Sequence, residues 1–186
     1  MTLSSLRRDL FTNFYDKQEP THGRSHALRT MALARRLARS AGADQQVCVA
    51  SAMMHQLHDV RVARRYIKKH SIKTKLASRI LECLDFRDRL RGKPDLRAPS
   101  IEARVVTEAD MLDAMGPFGT IRTACYYVLT KGMGFESAME AAHDRAIRRE
   151  KRLHTRLARS MAKRNNAKLE AIMSEFRAWR SLERNA

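Results

Sequence analysis

Aromatic side chains are scarce in this chain of 186 residues: Phe, Tyr and Trp make up 6%, with a single Trp. Proteins that bind single-stranded nucleic acid by stacking bases need aromatics set among their basic residues, so that class has little support here. Cysteine is nearly absent. Cys48, Cys83 and Cys125 are odd in number and far apart, with no Cys-x-x-Cys pair. That excludes a disulfide framework and a Cys-based zinc motif, and suits buried thiols in a reducing compartment. No apolar run approaches the roughly 20 residues of a membrane span. The opening "MTLSSLRRDL" lacks the apolar core of a signal peptide, so the expected location is cytoplasmic and no membrane partner is expected. Four prolines and seven glycines leave few breaks. Alternating strand patterns, repeats and low-complexity segments are missing.

Acidic residues are the minority. The 37 Lys and Arg against 20 Asp and Glu give a net charge of +17. This favours an anionic partner: a small anionic substrate such as a nucleotide, or nucleic acid. The plainer explanation is an Arg-rich soluble surface, because the basic residues are spread along the chain.

What the chain does have is Ala, Leu and Met, which favour helices. Leu3–Tyr15 reads as a short helix ending before Glu19-Pro20, and Thr21 as a cap for the next. From His26 to Ser40 a stripe of Leu28, Met31, Ala32, Leu37 and Ala38 predicts a helix that Gly42 ends. Asp44 caps "DQQVCVASAMMHQLHD", apolar on most sides and so a central, buried helix. Arg61–His70 and "KTKLASRILECLDF" are helical, with Leu76, Ile80, Leu81 and Leu84 on one side of the latter. "RLRGKPDLRAPS" is the clearest loop. A helix from Ile101 stops at Gly116-Pro117, another covers Phe118–Leu129, and one or two long helices run from Ala138, with a candidate break at Asn165-Asn166. The expected fold is all-α, a single domain with its core at about 20–150 and a long helical C-terminal extension at about 151–184.

Three stretches carry the chemistry: "THGRSHALRT", "SAMMHQLHDV" and "TEADMLDAMG". Each sets His or Asp on or beside an apolar helix, in the order His, His, Asp. Imidazoles and carboxylates from several helices can converge on a divalent ion inside a bundle. Such an ion lowers the pKa of bound water and neutralises phosphate charge. In these stretches the chain resembles the HD-domain superfamily of metal-dependent phosphohydrolases, and more narrowly the small bacterial HD hydrolases similar to nucleoside triphosphate pyrophosphohydrolases. The resemblance covers roughly residues 20–180. It rests on "HGRSHALR", "GADQQVCVASAMMH" and "EADMLDAMGPFGTIRTA", where Ala109, Asp110, Leu112, Asp113, Ala114, Gly116, Gly119, Arg122 and Thr123 match the family block. It implies an HD-domain helical bundle.

The resemblance also implies a ligand set of His, His-Asp and Asp. His26 matches the first histidine and Asp110 the last aspartate. Counting without gaps from Gly42-Ala43-Asp44 puts His55-Gln56 at the central pair. The alternative pair, His58-Asp59, needs three residues inserted in a continuous helix, a turn of about 300°. In the gapless register the metal set is His26, His55 and Asp110, and a neutral glutamine carbonyl, a weak ligand for a hard cation, replaces the family's Asp. Asp59, four residues after His55, would share its helix face and assist. The family's first site often reads His-Asp-x-x-His; here Gly23 follows His22, and Leu84 falls near another family histidine. The divalent ion (Mn, Mg or Fe) is therefore expected to be single and weakly held, or absent. His22, His58 and Asp113 are expected to flank the ligands, Asp113 by fixing the turn at Met115-Gly116. Arg122 either pairs with a buried Asp or serves as a phosphate clamp, and Asp59 and Arg122 are the catalytic candidates. Arg24, Arg29 and Arg61 are phosphate-binding candidates. Two functions follow: a phosphohydrolase acting on a nucleotide or other small phosphate ester, or a degenerate, non-catalytic protein (a pseudoenzyme) binding nucleotide, nucleic acid or a protein. A changed chemistry on iron is a third.

Overall fold

The computed structural model describes residues 3–90 and 96–183, and its regular elements are all helical over that span. They are α1 (Leu3–Asn13), α2 (Arg24–Ala41), α3 (Gln45–Met54), α4 (Val60–Lys69), α5 (Thr74–Arg89), α6 (Ile101–Asp113), α7 (Gly116–Lys131), α8 (Phe135–Glu150) and α9 (Arg156–Glu183), with short 3-10 turns at Tyr15–Lys17 and His55–Leu57. The first part of the predicted Gly-Pro loop, residues 91–95, lies outside the described residues. None of the described helices is long and apolar enough to cross a membrane. Two compact units divide between Asp113 and Ala114.

In the first unit α2 and α5 pack on α3 and α6. Ala27, Ala34 and Ala38 on α2 and Ala103 on α6 are fully buried, and such small residues let helix backbones approach closely. The buried stripe of α2 is His26, Ala27, Thr30, Met31, Ala34, Leu37 and Ala38. Leu28 and Ala32, expected inside, face solvent, so the true stripe carries two polar residues that a purely apolar count misses. Gly42 ends α2 in the left-handed conformation (φ 68°), with its N–H on the Ala38 carbonyl, a conformation that glycine adopts without a Cβ clash. Thr21 is not the cap of α2. Gly23 takes that place, and Thr21 gives its N–H and hydroxyl to Glu19 at 2.7 and 2.6 Å.

α3 is central, as its apolar surround predicts: Val47, Cys48, Ala50, Ser51, Ala52, Met53 and Met54 are all buried. Burial pushes the thiols of Cys48 and Cys83 up to about 12, which keeps them inert. Asp44 caps α3 by accepting from Gln46 and Val47. The helix is not continuous to Asp59. It ends at Met54, turns through His55–Leu57, and reverses at His58, which has a left-handed φ of 52°. Asp59 then opens α4 as its cap, accepting from the Arg61 N–H at 2.7 Å. The buried Tyr15 hydroxyl donates to the Met53 carbonyl at 2.8 Å, satisfying an acceptor that the early end of α3 would leave open.

In the second unit Ala138, Ala142 and Ala146 on α8, one turn apart, form a core with Ala124, Met139, Leu169 and Met173. The chain after Ala138 makes two helices, and α9 runs unbroken through Asn165-Asn166. Asn166 is buried and donates to Glu150 at 2.7 Å, so its amide is engaged away from the backbone it could otherwise disrupt. Gly116 (φ 71°) begins α7; a Cβ there would lie 2.8 Å from the Asn165 Cβ.

Candidate metal centre

The break after α3 builds the site. It turns His55 and Gln56 inward from a 3-10 turn, toward His26 in the first turn of α2 and Asp110 and Asp113 near the end of α6. His26 and His55 are each only 1% exposed. Their Nδ1 atoms face groups that can only accept a hydrogen bond. His26 Nδ1 lies 2.7 Å from Asp113 Oδ2, and His55 Nδ1 lies 2.6 Å from the Ala52 carbonyl. Each ring therefore keeps its proton on Nδ1, and in the neutral form each Nε2 carries a lone pair. Those two Nε2 atoms meet at 2.9 Å. Gln56 Nε2 stands 2.9 and 3.0 Å from them, so one amide can donate to both.

The third donor is Asp110. Its Oδ1 lies 3.6 Å from His26 Nε2 and 3.5 Å from His55 Nε2. Its Oδ2 accepts from Arg87 Nε at 3.3 Å and Nη2 at 3.1 Å. Burial alone would raise the Asp110 carboxyl, but Arg87, then His55 and His26, hold it well below the usual carboxylate range. Burial pushes His55 down to about 4, against the opposing pull of Asp110. Asp113 is braced by Arg29, whose Nε and Nη2 donate at 2.6 and 3.2 Å.

These residues fit one divalent ion. The circle through His26 Nε2, His55 Nε2 and Asp110 Oδ1 has a radius of about 1.9 Å, close to the roughly 2.0–2.2 Å bonds that imidazole and carboxylate make to such ions. The tautomers suit ligation, and a carboxylate behind a ligating histidine orients the ring and raises its basicity. The other anionic atoms nearby are engaged: Asp110 Oδ2 by Arg87 and Asp113 by Arg29.

Asp113, at the end of α6, holds His26. Arg29 spends its fork on Asp113. Asp59 is directed to Arg61, and Arg61 is 90% exposed, because the end of α3 removes the shared helix face expected with His55. His58 is exposed on the reversal. Arg24 pairs with Asp16 at 2.7 Å, out toward solvent. His22 pairs with Glu19, its ring edge-on to His26 with centroids 5.6 Å apart. Arg122 belongs to α7 of the second unit. The residue that the motifs missed is Arg87, 7% exposed. Its signal was a basic residue on an apolar stripe, since Ile80, Leu84 and Arg87 share one buried face of α5.

Residues 23–115, half of the chain, match the family of HD domains. No curated protein is significantly similar in sequence. Solved structures are similar in fold. A Lactobacillus plantarum protein is 22% identical, with 97% of each chain covered and a TM-score of 0.77. Bacillus subtilis YpgQ, solved in complex with ADP, is 21% identical over 94% of this chain and 96% of its own, with a TM-score of 0.77. An HD-superfamily hydrolase from Bacillus thuringiensis is 16% identical over 96% of each chain, with a TM-score of 0.68.

Proposed function

The chain belongs to the HD-domain family, and from that premise we propose that it is a phosphohydrolase of low turnover. It uses one divalent ion (Mn, Mg or Fe) on a nucleotide or another small phosphate ester. One observation carries this reading: His26 Nε2, His55 Nε2 and Asp110 Oδ1 converge from three elements, with both imidazole tautomers fixed for ligation. The ADP bound to YpgQ supports a nucleotide as the substrate class, and the net charge of +17 supports an anion.

When bound, the ion supplies Lewis acidity, lowering the pKa of a water and neutralising phosphate charge. The chain supplies the rest. Asp113 keeps the His26 proton on Nδ1, and the Ala52 carbonyl does the same for His55. Asp110 brings the single anionic oxygen, and Arg87 a fixed cation behind it. Gln56 offers a neutral amide where the family carries an aspartate, which makes for weak ion binding and slow hydrolysis.

A second reading has a specific observation in its favour. The Gln56 amide serves both imidazole lone pairs and Arg87 serves Asp110, so the site is satisfied as a non-catalytic binding protein would leave it. Phosphate release from a nucleotide panel with Mn²⁺, Mg²⁺ or Fe²⁺ separates the two. Slow, ion-dependent release that Asp110→Ala abolishes supports the hydrolase; no release with any ion, despite nucleotide binding, supports the second reading.

A further inference from the structure

The two carboxylates that face the ligand histidines are each paired with a guanidinium. Asp110 and Asp113 contribute two negative charges, and Arg87 and Arg29 two positive ones, paired at 2.6–3.1 Å. Both histidines must be neutral to ligate, and Gln56 adds a dipole but no charge. Arg29 is one-third exposed and faces Asp113. Arg87 is the buried member, with Nε and Nη2 both on Asp110, the one anionic ligand. Its Nη1 pairs more loosely with Asp88 Oδ1 at 3.5 Å, and the Asp88 side chain is 27% exposed, so water screens this second pair in part. A divalent ion entering this set would add two positive charges beside a guanidinium that has little solvent to screen it, and like charges at short range in such surroundings are costly. A phosphate group carries about −1.5 to −2, enough to offset the added charge. Asp110 is the ligand that reaches the surface, its side chain 21% exposed against 1% for His26, so an anion can arrive at that edge.

We propose that Arg87 makes ion and anion binding interdependent: the His26–His55–Asp110 set takes a divalent ion tightly only together with a phosphate group. This rests on the ion site of the proposed function. It makes phosphate more than a passive substrate, since the same group that is acted on completes the charge of the site. Because coupling is reciprocal, Mn²⁺ must strengthen phosphate binding by the factor by which phosphate strengthens Mn²⁺ binding.

The test is Mn²⁺ binding to the full chain, read from the EPR signal of the free ion, with and without saturating inorganic phosphate. Phosphate should tighten Mn²⁺ binding by at least about tenfold, a coupling of ordinary size. Arg87→Gln should bind Mn²⁺ alone about tenfold more tightly than the wild type and lose most of the coupling, while Arg87→Lys, which keeps the charge, retains it. An Arg87→Gln chain with wild-type coupling would overturn the role of Arg87. Equal wild-type affinity with and without phosphate would overturn the interdependence and leave the ion site standing, and this comparison needs no variant. Absence of Mn²⁺ binding in both conditions would overturn the ion site and the interdependence with it.

Discussion

Replacing Asp113 by Ala should damage the metal centre without touching a proposed ligand. Asp113 Oδ2 holds the His26 Nδ1 proton at 2.7 Å, and its two oxygens take Arg29 Nε at 2.6 Å and Nη2 at 3.2 Å. Its side chain is 2% exposed, so these bonds are made away from water. Hydrogen bonds to charged groups contribute about 1.5–3 kcal/mol each. The Arg29 bonds deserve a discount, because Arg29 is one-third exposed and can turn to solvent. The net loss of stability should be about 3 kcal/mol, near the lower end for breaking a buried pair. The second effect is on ligation. Freed of its carboxylate, His26 can place its proton on Nε2 and withdraw the lone pair from the site. Loss of such a partner costs roughly 10–100-fold in metal affinity. Urea unfolding followed by circular dichroism gives the first quantity, and Mn²⁺ titration of the folded variant the second. Nitrogen-15 shifts of the imidazole report the tautomer directly. A stability loss below about 1 kcal/mol together with an unchanged Mn²⁺ affinity would refute the bracing role.

Gln56→Asp restores an anionic oxygen beside both Nε2 atoms and should tighten Mn²⁺ binding about tenfold or more, with phosphate release rising alongside; calorimetric titration checks the first. In the metal-free protein, His55 is pushed down to about 4 by burial, below its unfolded value of about 6.5. The unfolded chain then binds the extra proton between those values, so stability is intact above about pH 6.5 and falls as pH drops toward 4. The loss from pH 7.5 to 5 should be about 2 kcal/mol, read by urea unfolding in chelator, and His55→Gln should flatten it. Gly116→Ala sets a Cβ 2.8 Å from Asn165 at a φ of 71° and should cost about 2–4 kcal/mol in the same assay; a change below about 0.5 kcal/mol would mean that the backbone there relaxes freely.

The helical class and the central position of α3 were legible from apolar periodicity and an Asp cap, whereas the grouping of His26, His55 and Asp110 was implied by the resemblance to a family's motif. What escaped depended on local endings. In "SAMMHQLHDV" the stop of α3 at Met54 comes from Asp59 capping the next helix and His58 taking a left-handed turn, and an apolar-periodicity count reads straight through both. That one break directs His55 and Gln56 inward and sends Asp59 to Arg61. The partners of Asp113 were hidden for a related reason. They are His26 and Arg29, 87 and 84 residues away, beyond any local spacing rule. Arg87 could have been found: a guanidinium on the apolar stripe of α5 needs an acidic partner, and Asp110 is one.

The proposed function stands on a single ion held by His26, His55 and Asp110. Its most direct test is the ion count of the folded chain under saturating Mn²⁺ and phosphate, for the wild type and for Asp110→Ala. The expected result is one ion per wild-type chain and none in the variant. Wild-type protein that binds no ion, or an Asp110→Ala protein that still binds one with wild-type affinity, would contradict it.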